Sequence, residues 1–158
     1  MRMYFYETDI GKIYIAENNK KITNLYFKTD AIPQNVEICE TATIREAYGQ
    51  LAGYLAGEVT EFDLPLSPKG TDFMQSVWRS LCKIPFGTTA SYGDIAKHIG
   101  RPKAARAVGL ANNRNPIPIF IPCHRVVGAD GKLVGYRGGI ALKEKLLQLE
   151  KGKCDGNL

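Results

Sequence analysis

An α+β protein is expected: a small N-terminal antiparallel sheet with one helix, followed by a mostly helical C-terminal domain of helix-turn-helix type. Three observations carry this expectation. The first 30 residues read as short strands rich in Tyr, Phe and Ile. The run Asp63-Leu64-Pro65-Leu66-Ser67-Pro68-Lys69-Gly70 breaks either period, because two prolines and a glycine suit neither helix nor strand. Beyond it, apolar residues recur at helical spacing. The boundary is placed in that run, giving an N-terminal α/β domain over 1–66 and a second domain over 71–152.

Met3–Thr8, Lys12–Ala16 and Ile22–Lys28 are the expected strands, a meander separated by Asp9-Ile10-Gly11 and Asn18-Asn19. A helix follows over about Thr41–Ala56, with Ile44, Tyr48, Leu51 and Leu55 on one face and Gly57 as its stop. Past the linker, Thr71 caps a helix whose stripe is Phe73, Val77, Leu81 and Ile84, ended by Pro85. Ser91 then caps a short helix with Asp94 in its first turn, and Gly100 stops it. Pro102 suits the first position of the next helix, expected over Pro102–Asn112. Two short helices about a glycine turn make the helix-turn-helix candidate. Prolines 116, 118 and 122 forbid a helix, so Asn115–Pro122 is expected to be stiff and extended. Asp130-Gly131 signals a turn, and Gly135–Gly139 a flexible loop. Ile140–Glu150 closes as an amphipathic helix that offers Ile140, Leu142, Leu146 and Leu149 for packing.

Composition narrows the classes. The 158 residues are 44% apolar and 23% charged, ordinary for a globular chain able to bury a core. No apolar run approaches the roughly 18 residues that span a bilayer, and Met1–Glu7 lacks signal-peptide character, so a cytoplasmic protein is expected. Cys39, Cys82, Cys123 and Cys154 form no close pair, and the only histidines are His98 and His124. A zinc site or a disulfide framework is therefore not expected. Charge divides unevenly. Residues 1–69 hold 7 Lys/Arg against 10 Asp/Glu, whereas 70–158 hold 14 against 6. Between Asp94 and Asp130 stand Lys97, Arg101, Lys103, Arg106, Arg114 and Arg125 with no acidic side chain. A one-sided cationic stretch of that kind favours a phosphate backbone as partner, because clustered cations release counterions on binding. In its second helix, Arg106 rises as a single long cation from Ala104, Ala105 and Ala107, small residues that let a backbone approach another surface closely.

The chemistry converges on Cys123. An ordinary thiol with a pKa near 8.5 is only about 3% thiolate at pH 7, so a working nucleophile needs help. His124 offers a base and Arg125 a cation. Neighbours in extended chain point to opposite sides, so a water bridge is the easier link between Cys123 and His124. The imidazole then needs an orienting acceptor, for which Glu144 is the candidate. The sulfur must also be reachable.

Ile119-Phe120-Ile121-Pro122-Cys123-His124-Arg125-Val126-Val127 resembles the active-site signature of the O6-alkylguanine-DNA alkyltransferases, or methylated-DNA–protein-cysteine methyltransferases. Ser91-Tyr92-Gly93, Ala104–Gly109, Asn115-Pro116, Gly135-Tyr136, Gly138-Gly139 and Lys143-Glu144 stand at the matching offsets, so the resemblance covers about 71–150. It implies a winged-helix or helix-turn-helix catalytic domain that needs no cofactor and no metal. Cys123 would attack the alkyl carbon, activated through water by His124, itself oriented by Glu144. Tyr92 would assist base extrusion and protonate the leaving guanine, and Asn115 would brace the active-site backbone. Arg106 would enter the minor groove and fill the space of the extruded base, with Ala105, Arg114 and Arg125 also on the DNA side. Val126, Tyr136, Arg137 and Gly138 would line the base pocket. Arg137 stands where many relatives have a small residue. The implied partner is double-stranded DNA carrying O6-alkylguanine, with O4-alkylthymine a further candidate lesion, and the acting species a monomer away from membranes.

Two other functions compete. Alkyltransferase-like binding modules recognise damage without repairing it but replace the cysteine, which this chain keeps. A cysteine hydrolase built on Cys123, His124 and Glu144 would turn over through an acyl-enzyme and would leave the alanine-lined basic helix without a purpose.

Overall fold

Aromatic and β-branched residues build β1 (Arg2–Thr8), β2 (Gly11–Asn18) and β3 (Lys21–Phe27) as an antiparallel meander. The computed structural model describes the backbone of residues 1–155 and side chains through 152. The β2–β3 turn places both Asn19 and Lys20 at positive φ, the conformation that matches strand twist in a two-residue hairpin. The buried Glu17 carboxylate accepts the Lys20 N–H at 2.9 Å and holds that turn. A fourth strand, β4 (Glu37–Ile38), lies parallel beside β1 and gives the order β3-β2-β1-β4. At two residues it leaves no periodicity to read in advance.

Thr41 caps α1 (Ala42–Leu55), accepting the Ile44 N–H. The helix buries Ile44, Ala47, Leu51 and Tyr54, a stripe rotated from the expected one. Tyr48 instead stacks on Tyr6 with ring centroids 3.9 Å apart, at the margin of the sheet. The chain divides into two compact units between Lys69 and Gly70.

In the second unit, Thr71 caps α2 (Asp72–Leu81), and Val77, Trp78 and Leu81 enter the core. α3 (Tyr92–His98) opens with the full reciprocal box: Asp94 N–H donates to Ser91 Oγ, and Ser91 N–H to Asp94 Oδ2. α4 spans Ala105–Asn113, three residues later than expected. Pro102 is used instead in the turn closed by Ala104 N–H and Arg101 O, where its restricted φ is equally at home. Trp78 Nε1 donates to Ala111 O at 2.9 Å, tying α2 to the last turns of α4.

The Asn115–Pro122 segment is a buried, tight turn and not an extended strut. Ile121 N–H reaches back to Ile117 O, and Ile119 sits at φ +74°. The prolines exclude a helix but do not enforce extension. A β-branched residue in the left-handed region costs on the order of 1–3 kcal/mol, which burial of the Ile119, Phe120 and Ile121 side chains offsets. A 3-10 turn, Cys123–Arg125, follows directly, then β6 (Val126–Val127). β6 pairs in parallel with β5 (Ala90–Ser91), which immediately precedes α3. The last helix, α5 (Ile140–Asp155), packs on the 3-10 turn. Its buried residues are Lys143, Leu146 and Glu150, while Ile140 is exposed. The inward face therefore carries two charges where an apolar stripe was expected.

Candidate active site

One long-range pairing and one local bend bring the site together. Pairing of Ala90 with Val126 and Ser91 with Val127 carries Tyr92, the first residue of α3, to the turn that holds Cys123. The 3-10 bend supplies the change of direction that an extended chain would lack between Cys123 and His124. Behind the bend lies α5. Glu150 Oε2 meets His124 Nε2 at 2.6 Å, with the imidazole fully buried. Glu150 is thus the orienting carboxylate, and the expectation for Glu144 is corrected. Glu144 is exposed and accepts a hydrogen bond from Gln148. At 3.6 residues per turn, six positions rotate a side chain about 120° around the helix, so the two glutamates cannot share a face. The missed signal was available. Leu146 is the firmest core position of α5, and Glu150 lies one turn beyond it on the same side.

Arg125 is also corrected. Its guanidinium does not face solvent. It donates from Nε and Nη2 to Glu150 at 2.8 and 3.1 Å, and from Nη1 to Ile84 O at 2.8 Å. Glu150 Oε1 further accepts Gly87 N–H. One buried carboxylate therefore binds the histidine, the arginine and a backbone donor, the dense satisfaction that a charge in low dielectric requires.

Asn115 is buried and braces the turn from inside: Nδ2 donates to Ile121 O at 2.8 Å, and Oδ1 accepts Ile117 N–H at 3.0 Å. Arg137 Nη1 donates to Asn115 O at 2.9 Å, joining the glycine-rich loop to the same turn. Val134 O accepts both Lys143 Nζ at 2.9 Å and Tyr92 Oη at 3.4 Å. The Tyr92 ring lies across α4 at Gly109, where an added Cβ would stand 3.8 Å from it. Val126 is buried in the β6 ladder, while Tyr136 and Gly138 are half-buried in the loop.

Cys123 is only 4% exposed, less reachable than expected. Burial pushes its thiol pKa up, against a hydrogen bond with Asn115 and the charges of Arg137 and Lys143. Burial likewise pushes the His124 pKa down, against its bond to Glu150. Tyr92 is raised, first by burial and then by Cys123. At rest the pair is therefore a neutral thiol beside a neutral imidazole. It can supply a soft nucleophile once the sulfur's proton passes to a histidine that Glu150 is placed to stabilise as imidazolium.

Outside this buried cluster the second unit is cationic. Lys97, Arg101, Lys103, Arg106 and Arg114 are all exposed. Arg106 occupies the first turn of α4 next to half-buried Ala105, and Arg114 caps its other end. Of the remaining thiols, Cys82 is exposed and Cys39 half-buried, while the side chain of Cys154 lies outside the described residues.

A family model described as 6-O-methylguanine DNA methyltransferase, DNA binding domain, matches residues 72–152. The corresponding ribonuclease-like domain of the same protein matches residues 1–68. A methylated-DNA–protein-cysteine methyltransferase of Methanosarcina barkeri is 52% identical over 149 residues, spanning 92% of this chain and 94% of its own length. Its counterpart in Mycobacterium tuberculosis is 48% identical over 158 residues, with 96% and 93% covered. The solved structure of M. tuberculosis OGT in complex with DNA matches with a TM-score of 0.93 at 48% identity, over 97% of this chain and 94% of that one. On both halves of its length, the chain belongs to the 6-O-methylguanine DNA methyltransferase family.

Proposed function

We propose that this chain repairs O6-alkylguanine in duplex DNA by moving the alkyl group onto its own Cys123, once per molecule and irreversibly. The observation that carries this reading is the joining of Cys123, a His124 held by Glu150, and Tyr92 by the β5–β6 ladder, in the unit whose α4 exposes Arg106. An O6-alkyl carbon is inaccessible within the base stack, so the base must leave the duplex before a protein sulfur can meet it. Arg106 is the side chain for that step, on a helix whose small residues allow close approach. The exposed cations around α3 and α4 bind phosphates without reading sequence, which suits a search for damage at any position.

In the transfer, the Cys123 proton passes through water to His124, which Glu150 stabilises as imidazolium. A sulfur lone pair then forms the S–C bond while the C–O6 bond breaks, its electron pair remaining on guanine. Tyr92 supplies a proton to the departing base and regains one from the site. The products are a thioether at Cys123 and unmodified guanine. Removing the alkyl group from that thioether would have to expel a thiolate, a poor leaving group from an unactivated carbon, so no second turnover follows. Asn115 keeps the turn in shape, and Tyr136, Arg137 and Gly138 face the incoming base. No helix of the described residues is long and apolar enough to cross a membrane.

Intact mass after incubation with O6-methylguanine duplex tests the reading. One methyl group per chain, located on Cys123 and stable with time, is expected. Cys123→Ser should abolish transfer and leave DNA affinity nearly intact. An adduct that disappears with turnover would point to hydrolase chemistry and overturn the proposal.

A further inference from the structure

Lys143 is fully buried, a rare condition for a lysine. Its ammonium donates to Val134 O at 2.9 Å. It shares the inward face of α5 with Glu150, seven residues and two helical turns further on. That face packs on the turn carrying Cys123 and His124. Glu150 serves the histidine, and the charges of Lys143 and Cys123 each favour the ionised form of the other. α5 thus offers an anion to the group that gains a proton and a cation to the group that loses one.

We propose that Lys143 is a positioning residue of the transfer: from the buried face of α5 its ammonium stabilises the Cys123 thiolate while Glu150 stabilises the protonated His124. The inference rests on the alkyl-transfer reading for its biological purpose, but its physical content is the ionisation of one thiol. Every charged or titratable neighbour of the sulfur enters the balance. Lys143 from α5 and Arg137 from the glycine loop favour the thiolate, as does the Asn115 hydrogen bond, whereas Tyr92 at the start of α3 is a neutral donor. His124 adjoins Cys123 in the same turn. Lys143 and Arg125 both oppose a charge on His124, and the Glu150 bond outweighs each of them. Arg137 is exposed and open to salt screening, whereas Lys143 is shielded. Burial lowers the Lys143 pKa, and the Cys123 charge opposes that lowering, so sulfur and nitrogen favour each other's ionised forms. Lys143 also secures the Val134 carbonyl. When Tyr92 leaves that carbonyl for a base, the ammonium remains as its donor.

The test reads Cys123 ionisation without DNA, so its failure is distinguishable from failure of the repair assignment. In a Cys39→Ser, Cys82→Ser, Cys154→Ser background, the iodoacetamide rate at Cys123 is followed against pH for the parent and for Lys143→Met. The variant should titrate about one pH unit higher, roughly a tenfold slower reaction below the midpoint. High salt should not erase this difference, whereas it should shrink the same-direction shift of Arg137→Ala. An unchanged midpoint in folded Lys143→Met overturns the proposal. If that variant does not fold, 15N-lysine NMR of the parent decides. Blocking Cys123 with methyl methanethiosulfonate should lower the Lys143 titration midpoint, and an unmoved midpoint overturns the proposal equally.

Discussion

Removing the Glu150 carboxylate would leave His124 and the Arg125 guanidinium in a buried space without their shared acceptor. Loss of one member of such a cluster costs about 3–5 kcal/mol, so Glu150→Ala should unfold at markedly lower denaturant and transfer alkyl groups poorly. Glu144→Ala, on the exposed side of the same helix, should stay within about 0.5 kcal/mol of the parent. Equal denaturation curves for the two variants would refute the assignment of Glu150. A second consequence concerns the sulfur. Being 4% exposed with a raised pKa, native Cys123 should react with iodoacetamide at neutral pH more slowly than a free cysteine. Mass-resolved labelling, native against unfolded, checks this. The candidate nucleophile was legible because its evidence is contiguous: Pro122, Cys123, His124 and Arg125 adjoin one another. Its orienting acid was not, since Glu144 and Glu150 are chemically alike and differ only in helix phase.

α3 is seven residues long and too short to persist without its reciprocal box. Ser91→Ala should therefore cost about 1 kcal/mol, visible as a lower thermal midpoint. The larger effect is expected on transfer, because the same residue pairs with Val127 and delivers Tyr92 to the site. A single-turnover rate unchanged in Ser91→Ala would show that the cap does not position Tyr92. The capping residues Thr71 and Ser91 were read in advance, since a cap is a local hydrogen bond between residues three apart, whereas Thr41, expected as the first residue of its helix, is in fact the cap. The turn around Ile119 was not. Prolines restrict their own φ and disfavour a helix, but the choice between extension and a compact turn was made by burial of Ile117, Ile119, Phe120 and Ile121. Likewise β5 and β6, two residues each, form only because distant segments meet.

For the whole molecule, the exposed cations Lys97, Arg101, Lys103, Arg106 and Arg114 set the salt response. If all five bind phosphates, log affinity for duplex DNA should fall against log salt with a slope of about −4.5. Fluorescence anisotropy from low to moderate salt checks this, and a flat response would contradict the interface. Stability should also depend on pH in a definite sense. His124 is harder to protonate folded than unfolded, so stability is retained above its unfolded pKa of about 6.5 and lost on acidification below it. Cys123 is harder to deprotonate folded, so a further loss begins as pH rises through its unfolded value near 8.5. Thermal melts across pH 5–10 should show both flanks, and Cys123→Ser should remove the alkaline contribution of this thiol. By itself the sequence determined the two-part α+β plan, the helix starts at Thr71 and Ser91, the cationic window and the candidate nucleophile, because each is written in residues near one another along the chain. Only the tertiary structure decided that Arg125 turns inward, that Glu150 and not Glu144 holds His124, and that Lys143 is buried on the helix that packs on the Cys123 turn. Those outcomes depend on how α5 is rotated against the Cys123 turn, a packing relation between residues 25 and 26 positions apart in the sequence.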